Sequence, residues 1–147
     1  SGTSSVIAGG TLYVYAGGAG VDSNSRTSYS GLLFSGGRSV IISYGRADSS
    51  IDTEKGYSYT GGYVIGIGLS GGMGGESKNC KDFSSVGKST TLNLSGGSYL
   101  TVKDIAAVKM PQAMNALVVV LGSTDAGISQ ASSTSSTVDA NGVAWLK

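Results

Sequence analysis

Four stretches of the chain join a short apolar run, a Gly-Gly pair and a second β-prone run. Val6-Ile7-Ala8-Gly9-Gly10 leads into Thr11-Leu12-Tyr13-Val14-Tyr15, and Leu32-Leu33-Phe34-Ser35-Gly36-Gly37 into Val40-Ile41-Ile42. Tyr57-Ser58-Tyr59-Thr60-Gly61-Gly62 leads into Tyr63-Val64-Ile65, and Leu92-Asn93-Leu94-Ser95-Gly96-Gly97 into Tyr99-Leu100-Thr101-Val102. The pairs stand 27, 25 and 35 residues apart, intervals that belong to solenoid repeats. Each unit reads as strand, glycine corner, strand and loop, because glycine accepts positive φ and lets neighbouring backbones approach closely. Two short strands cannot bury a core by themselves, whereas units stacked in register can. The predicted architecture is therefore all-β: a short parallel β-helix, with a β-sandwich of glycine-rich hairpins as the competing reading.

Strand alternation points Val40/Ile42 and Ile65/Ile67 inward, while the first unit fits with either Leu12/Val14 or Tyr13/Tyr15 inside. The last third departs from the pattern. Ala106-Ala107-Val108-Lys109-Met110 precedes Pro111, and Ala116-Leu117-Val118-Val119-Val120-Leu121 predicts a continuously apolar strand. This region is expected to cap one end of the stack, since a terminal repeat must protect an open edge. The organisation read from the sequence is stacked coils over residues 1–90, a last coil with a β-rich cap over 91–128, and a Ser/Thr-rich linker with a terminal strand anchored by Trp145 over 129–147.

Composition narrows the chemistry. Thirty-nine per cent hydrophobic residues argue against a disordered tract despite the 25 glycines. Charged residues make up 13% and the formal net charge is +1, so no field draws the chain to nucleic acid or an anionic membrane. No run is long and apolar enough for a membrane helix. The chain has no His, which removes Ser-His-Asp and Cys-His arrangements and imidazole metal sites. Cys80 is alone, so it forms neither an intrachain disulfide nor a thiolate zinc site; it reads as a small apolar residue or an intermolecular partner. The opening Ser1-Gly2-Thr3 suggests a processed or excised start.

Five runs in order carry a resemblance: Gly9-Gly10-Thr11-Leu12, Gly20-Val21-Asp22-Ser23-Asn24, Leu33-Phe34-Ser35-Gly36-Gly37, Ser50-Ile51-Asp52-Thr53-Glu54 and Gly71-Gly72-Met73-Gly74-Gly75. Over roughly residues 6 to 123 the chain resembles a bacterial family of secreted carbohydrate-binding domains, related in fold to pectate lyases. The resemblance implies a right-handed parallel β-helix with calcium at its loops. The chain departs from that pattern in lacking the coils that usually precede the first, and in carrying Ala19 where an acid is expected.

Asp22 and Asn24 fall in one loop, and Asp48, Asp52 and Glu54 in the equivalent loop of the next coil. Stacking would gather these oxygens as a hard cation requires; the other reading is that Asp and Asn simply favour turns. Tyr13, Tyr15, Tyr44, Tyr59 and Tyr63 lie beside the corners and could stack on sugar rings, or stabilise the solenoid as cross-strand aromatic pairs do. Arg38, Arg46 and Lys55 are candidates for the carboxylates of an acidic glycan, with a solvated surface role as the alternative. A lyase would need a base such as Arg38 or Arg46 beside calcium, but nothing in the sequence marks either arginine. The expectation is a non-catalytic, calcium-assisted, extracellular or cell-surface binder of polysaccharide (cellulose or pectin-like). The alternative is a structural subunit that self-associates through the open end of the helix into a filament or lattice.

Overall fold

The computed structural model describes residues 5–23, 32–45, 49–53, 57–69, 79–95, 104–123, 125–134 and 136–146. These residues form twelve strands and no helix: β1 (Ser5–Ile7), β2 (Thr11–Ala16), β3 (Val21–Ser23), β4 (Leu32–Ser43), β5 (Ile51–Thr53), β6 (Tyr57–Gly68), β7 (Cys80–Val86), β8 (Thr91–Ser95), β9 (Ile105–Lys109), β10 (Met114–Leu121), β11 (Gly127–Ala131) and β12 (Val143–Trp145).

The first half pairs in parallel. β1 and β2 share one side of β4, and β6 takes the other side. Val6 lies opposite Leu33 and Leu33 opposite Ser58, so neighbouring strands are offset by the intervals that separate the Gly-Gly pairs. The corners stack on one another. A Cβ on Gly36 would lie 2.3 Å from the Ala8 carbonyl oxygen, and one on Gly61 2.7 Å from that of Ser35. The second glycine of each pair, at 10, 37 and 62, has positive φ. A separate two-strand sheet pairs β3 with β5, Val21 opposite Ile51.

The second half differs from a stack of coils. β10 runs antiparallel along the far edge of β6, from Leu117 opposite Gly68 to Leu121 opposite Val64, and β7 continues the sheet antiparallel to β10. The fourth predicted unit does not join the other three: its first strand, β8, lies between β11 and β9 in an antiparallel sheet of order β11-β8-β9-β12. Its glycines, Gly96 and Gly97, lie outside the described residues. The large sheet is thus mixed, the four-stranded sheet is antiparallel, and no sheet closes into a solenoid. The physical reason is occupancy. β10 satisfies the edge of β6 on which a further parallel unit would have stacked, and the remaining apolar strands bury themselves face to face with the sheet.

Two apolar clusters lie on opposite faces of the large sheet. Val40, Ile42, Ile65, Ile67, Val118 and Val120 pack against Leu92, Ile105, Val108, Ile128 and Val143 of the antiparallel sheet. The alternate residues Ile41, Val64 and Val119 pack with Ile51, Phe34 and Leu32, and with Val21 at the margin. The central strands are covered on both sides, which accounts for their unbroken apolar runs. It also accommodates both orientations of the first unit, since Tyr13 packs on the first cluster and Val14 on the second. Gly66 and Gly68 let the chain at Ser49–Ser50 lie close against β6; a Cβ on Gly68 would come 2.7 Å from the Ser50 nitrogen.

Candidate functional site

Alternation along β2 puts Tyr13 and Tyr15 on one face of the sheet, the face that carries Val40 and Ile42 on β4. Tyr13 is partly covered by the first core, whereas Tyr15 projects past its end and is 42% exposed. Tyr44 leaves β4 with its N–H donating to the Ala16 carbonyl at 3.0 Å. Its ring sits over Gly17, where a Cβ would meet the phenol oxygen at 3.1 Å. The Tyr15 and Tyr44 rings are 4.8 Å apart between centroids, tilted by 44°. The Tyr15 hydroxyl donates to Gln112 Oε1 at 2.7 Å, which fixes the direction of its ring.

The strip continues toward the C-terminal strand. Asp139 accepts hydrogen bonds from the N–H groups of Asn141 at 2.9 Å and Val143 at 3.0 Å, and from the Trp145 indole at 2.7 Å. The tight turn over residues 139–142 thereby holds Trp145 in place. The Arg38 guanidinium lies over the Trp145 ring at 5.0 Å, its Nε donating to Thr11 Oγ1 at 2.8 Å. One Arg38 terminal nitrogen, Nη1, is buried without a hydrogen-bond partner. Thr11, Arg38 and Tyr63 lie in register across β2, β4 and β6. Tyr59, earlier on β6, donates its hydroxyl to the Gly62 carbonyl at 2.7 Å. Below Asp139 a shallow depression of about 280 Å³ is lined by Lys88, Lys109, Pro111 and Asn141. Pro111 links it to Gln112 and so to the tyrosines.

The electrostatics keep this surface hydroxyl-rich. Burial raises the Tyr13 phenol above its ordinary value, with Tyr15 and Asp139 adding to the shift. Burial likewise raises Tyr15, assisted by Tyr44, and Tyr59; it raises Tyr63 with help from Tyr59 and Asp104. All four remain neutral donors at physiological pH. At Asp139 burial pushes upward, but the hydrogen bonds from Val143, Trp145, Asn141 and Gly142 outweigh it and hold the carboxyl below its ordinary value.

The structure therefore brings Tyr13, Tyr15 and Tyr44 into one group, with Tyr59 and Tyr63 beyond Arg38. Of the predicted metal ligands, Asp22 and Asp52 stand directly opposite each other on β3 and β5. One oxygen of Asp52, Oδ1, is buried without a hydrogen-bond partner. Asn24, Asp48 and Glu54 lie outside the described residues, as do Arg46 and Lys55. Among the described residues no three metal-ligating side chains cluster. Sequence reasoning missed Gln112 and Asp139. The Asp139-Ala140-Asn141-Gly142 run carried a turn signal; Gln112 carried none.

No protein-family model, curated protein or solved structure matches the chain.

Proposed function

We propose that this chain is a non-catalytic binder of cell-wall polysaccharide (cellulose or a pectin-like acidic glycan), acting outside the cell or at its surface. The observation that carries the reading is the exposed Tyr15–Tyr44 pair, held by Gln112 and continuous with Tyr13 and Trp145. Aromatic faces of this kind stack on sugar rings, and the neighbouring hydroxyls and amide fix orientation. Lys88 and Lys109, in the adjoining depression, suit the carboxylates of an acidic glycan. Arg38, by contrast, is committed to Thr11 and Trp145, which makes it a structural cation and a poor candidate for a lyase base.

In the same reading, the units β1–β2–β3, β4–β5 and β6 are coils of an abbreviated right-handed parallel β-helix, the hand that parallel crossovers overwhelmingly adopt. Calcium is proposed at the β3–β5 side. Asp22 and Asp52 supply adjacent oxygens, and a cation would satisfy the buried Asp52 Oδ1. A bound ion there would neutralise two like charges and fix the loops; its role is structural.

The test is co-sedimentation with calcium-pectate gel and with cellulose, with and without EDTA, beside a tube without polysaccharide. Pelleting with glycan alone supports the proposal. Replacing both Tyr15 and Tyr44 by Ala is expected to weaken binding about 5- to 150-fold, since two aromatic contacts are worth about 1–3 kcal/mol. Full binding by the double variant sinks the tyrosine site.

A further inference from the structure

No described residue accounts for the glycine at position 9. It occupies the corner position that Gly36 and Gly61 occupy in the next two units, where a side chain would strike the backbone of the preceding strand. Among the described residues a Cβ at Gly9 meets nothing within 4 Å, and its φ is not positive. Glycine at this site makes sense when another backbone stacks on it, as β1 stacks on Gly36.

The edge it belongs to is open. Among the described residues nothing pairs with the outer side of β1 and β2. Those strands, Ser5-Val6-Ile7 and Thr11-Leu12-Tyr13-Val14-Tyr15-Ala16, carry no charge and no proline, and Val6 is 52% exposed. The opposite edge of the same sheet, β7, is built differently. It presents Lys81 and Asp82, a left-handed Ser85 and a register break against β10, features that discourage edge pairing. One edge is protected and the other is not.

The occupant follows from which corners are free. The Gly36–Gly37 corner is flanked by Gly9–Gly10 on one side and Gly61–Gly62 on the other. The outer side of Gly62 is met by Gly122, at the end of antiparallel β10, where a Cβ would lie 2.6 Å from the Gly62 carbonyl oxygen. So an antiparallel strand also fits a glycine corner when it brings a glycine of its own. Among the described residues, the Gly9–Gly10 corner is the one that keeps a free side in a second copy.

We propose that two copies of this chain pair antiparallel through their β1–β2 edges about a two-fold axis, Gly9–Gly10 meeting Gly9–Gly10, to form one continuous sheet. An isologous edge contact of this kind closes on itself. Because β10 already fills the far edge of β6, the result is a dimer and not a filament. The two Tyr15–Tyr44 pairs then lie on the same face of the joined sheet.

Sedimentation equilibrium of the chain, without glycan, tests this. A monomer–dimer equilibrium is expected, with Gly9→Val weakening dimerisation at least about tenfold while leaving the circular dichroism of the monomer intact and its urea midpoint no lower. Val6→Lys, at an exposed site on the same edge, is expected to do the same, and Lys81→Ala on β7 to leave the dimer unchanged. A monomer at every concentration, a dimer indifferent to both edge variants, or open-ended polymers would each overturn the proposal.

Discussion

Replacing Gly36 by Ala probes the stacked corners directly. The added methyl would lie 2.3 Å from the Ala8 carbonyl oxygen and 3.2 Å from its carbon, both backbone atoms of the neighbouring strand. Neither can rotate away, so β1 and β4 must separate by about 1 Å to restore an ordinary contact. Forcing a methyl into a packed site costs about 1–3 kcal/mol. The Arg38 N–H bond to the Gly10 carbonyl, 2.9 Å long, spans the same corner, and weakening it adds up to about 1 kcal/mol. The stiffer unfolded chain returns about 0.4–1 kcal/mol. The net expectation is a loss of about 1–3 kcal/mol, a fall in Tm of about 3–10 °C for a chain of this size. Gly9→Ala is the matched control. It meets no atom of the described residues within 4 Å, so the unfolded-state gain is what remains and stability should rise by about 0.4–1 kcal/mol. Urea titrations followed by the single Trp, at concentrations low enough to keep the chain monomeric, read both values. If Gly36→Ala proves as stable as Gly9→Ala, the close corner stacking is refuted.

Ile42→Ala, at a fully buried position between the two sheets, should cost about 2–5 kcal/mol in the same titration, whereas Val6→Ala on the open edge should stay within about 0.5 kcal/mol. Asp139 has a folded pKa below its ordinary 3.8. Its contribution is therefore complete above about pH 4 and is lost as pH falls through the lower folded value. Asp139→Asn should flatten that part of the stability–pH curve, and an unchanged acid limb would count against the hydrogen bonds assigned to this carboxylate. Asp22 and Asp52 sit side by side in parallel register, so in EDTA Asp52→Asn should stabilise by about 0.2–1 kcal/mol through relief of like charge. The same substitution should abolish any rise in Tm on adding calcium; a calcium shift that survives it places the ion elsewhere.

Several features could be read along the chain because they depend on neighbours in sequence. The spacing of the Gly-Gly pairs equals the offset between paired strands, since a corner that must nest on another corner fixes register. Runs such as Val40-Ile41-Ile42 and Val118-Val119-Val120 announced strands, whereas their burial on both faces came from the structure. The tyrosines stood beside the corners in the sequence, which left open whether Tyr13/Tyr15 or Leu12/Val14 faced inward; the observed register aligns Tyr13, Tyr15 and Tyr44.

Other features had no local signal. A strand apolar on both faces, like β10, fits any central position in either direction, so its antiparallel seat against β6 could not be inferred. Leu92-Asn93-Leu94 looked like a fourth coil but joined the facing sheet, because an alternating strand fits any sheet with one covered face. The contacts of Gln112 with Tyr15, and of Arg38 with Trp145, join residues 97 and 107 positions apart.

The sequence by itself determined an all-β chain and, for the first three units, the glycine corners and their spacing, because glycine sterics act over a few residues. Only the tertiary structure decided that β10 ends the parallel run, that an antiparallel sheet covers its face, and that no described strand pairs with the β1–β2 edge. Those outcomes turn on which of several equally apolar strands occupies a given edge, a competition among distant segments that no local pattern encodes.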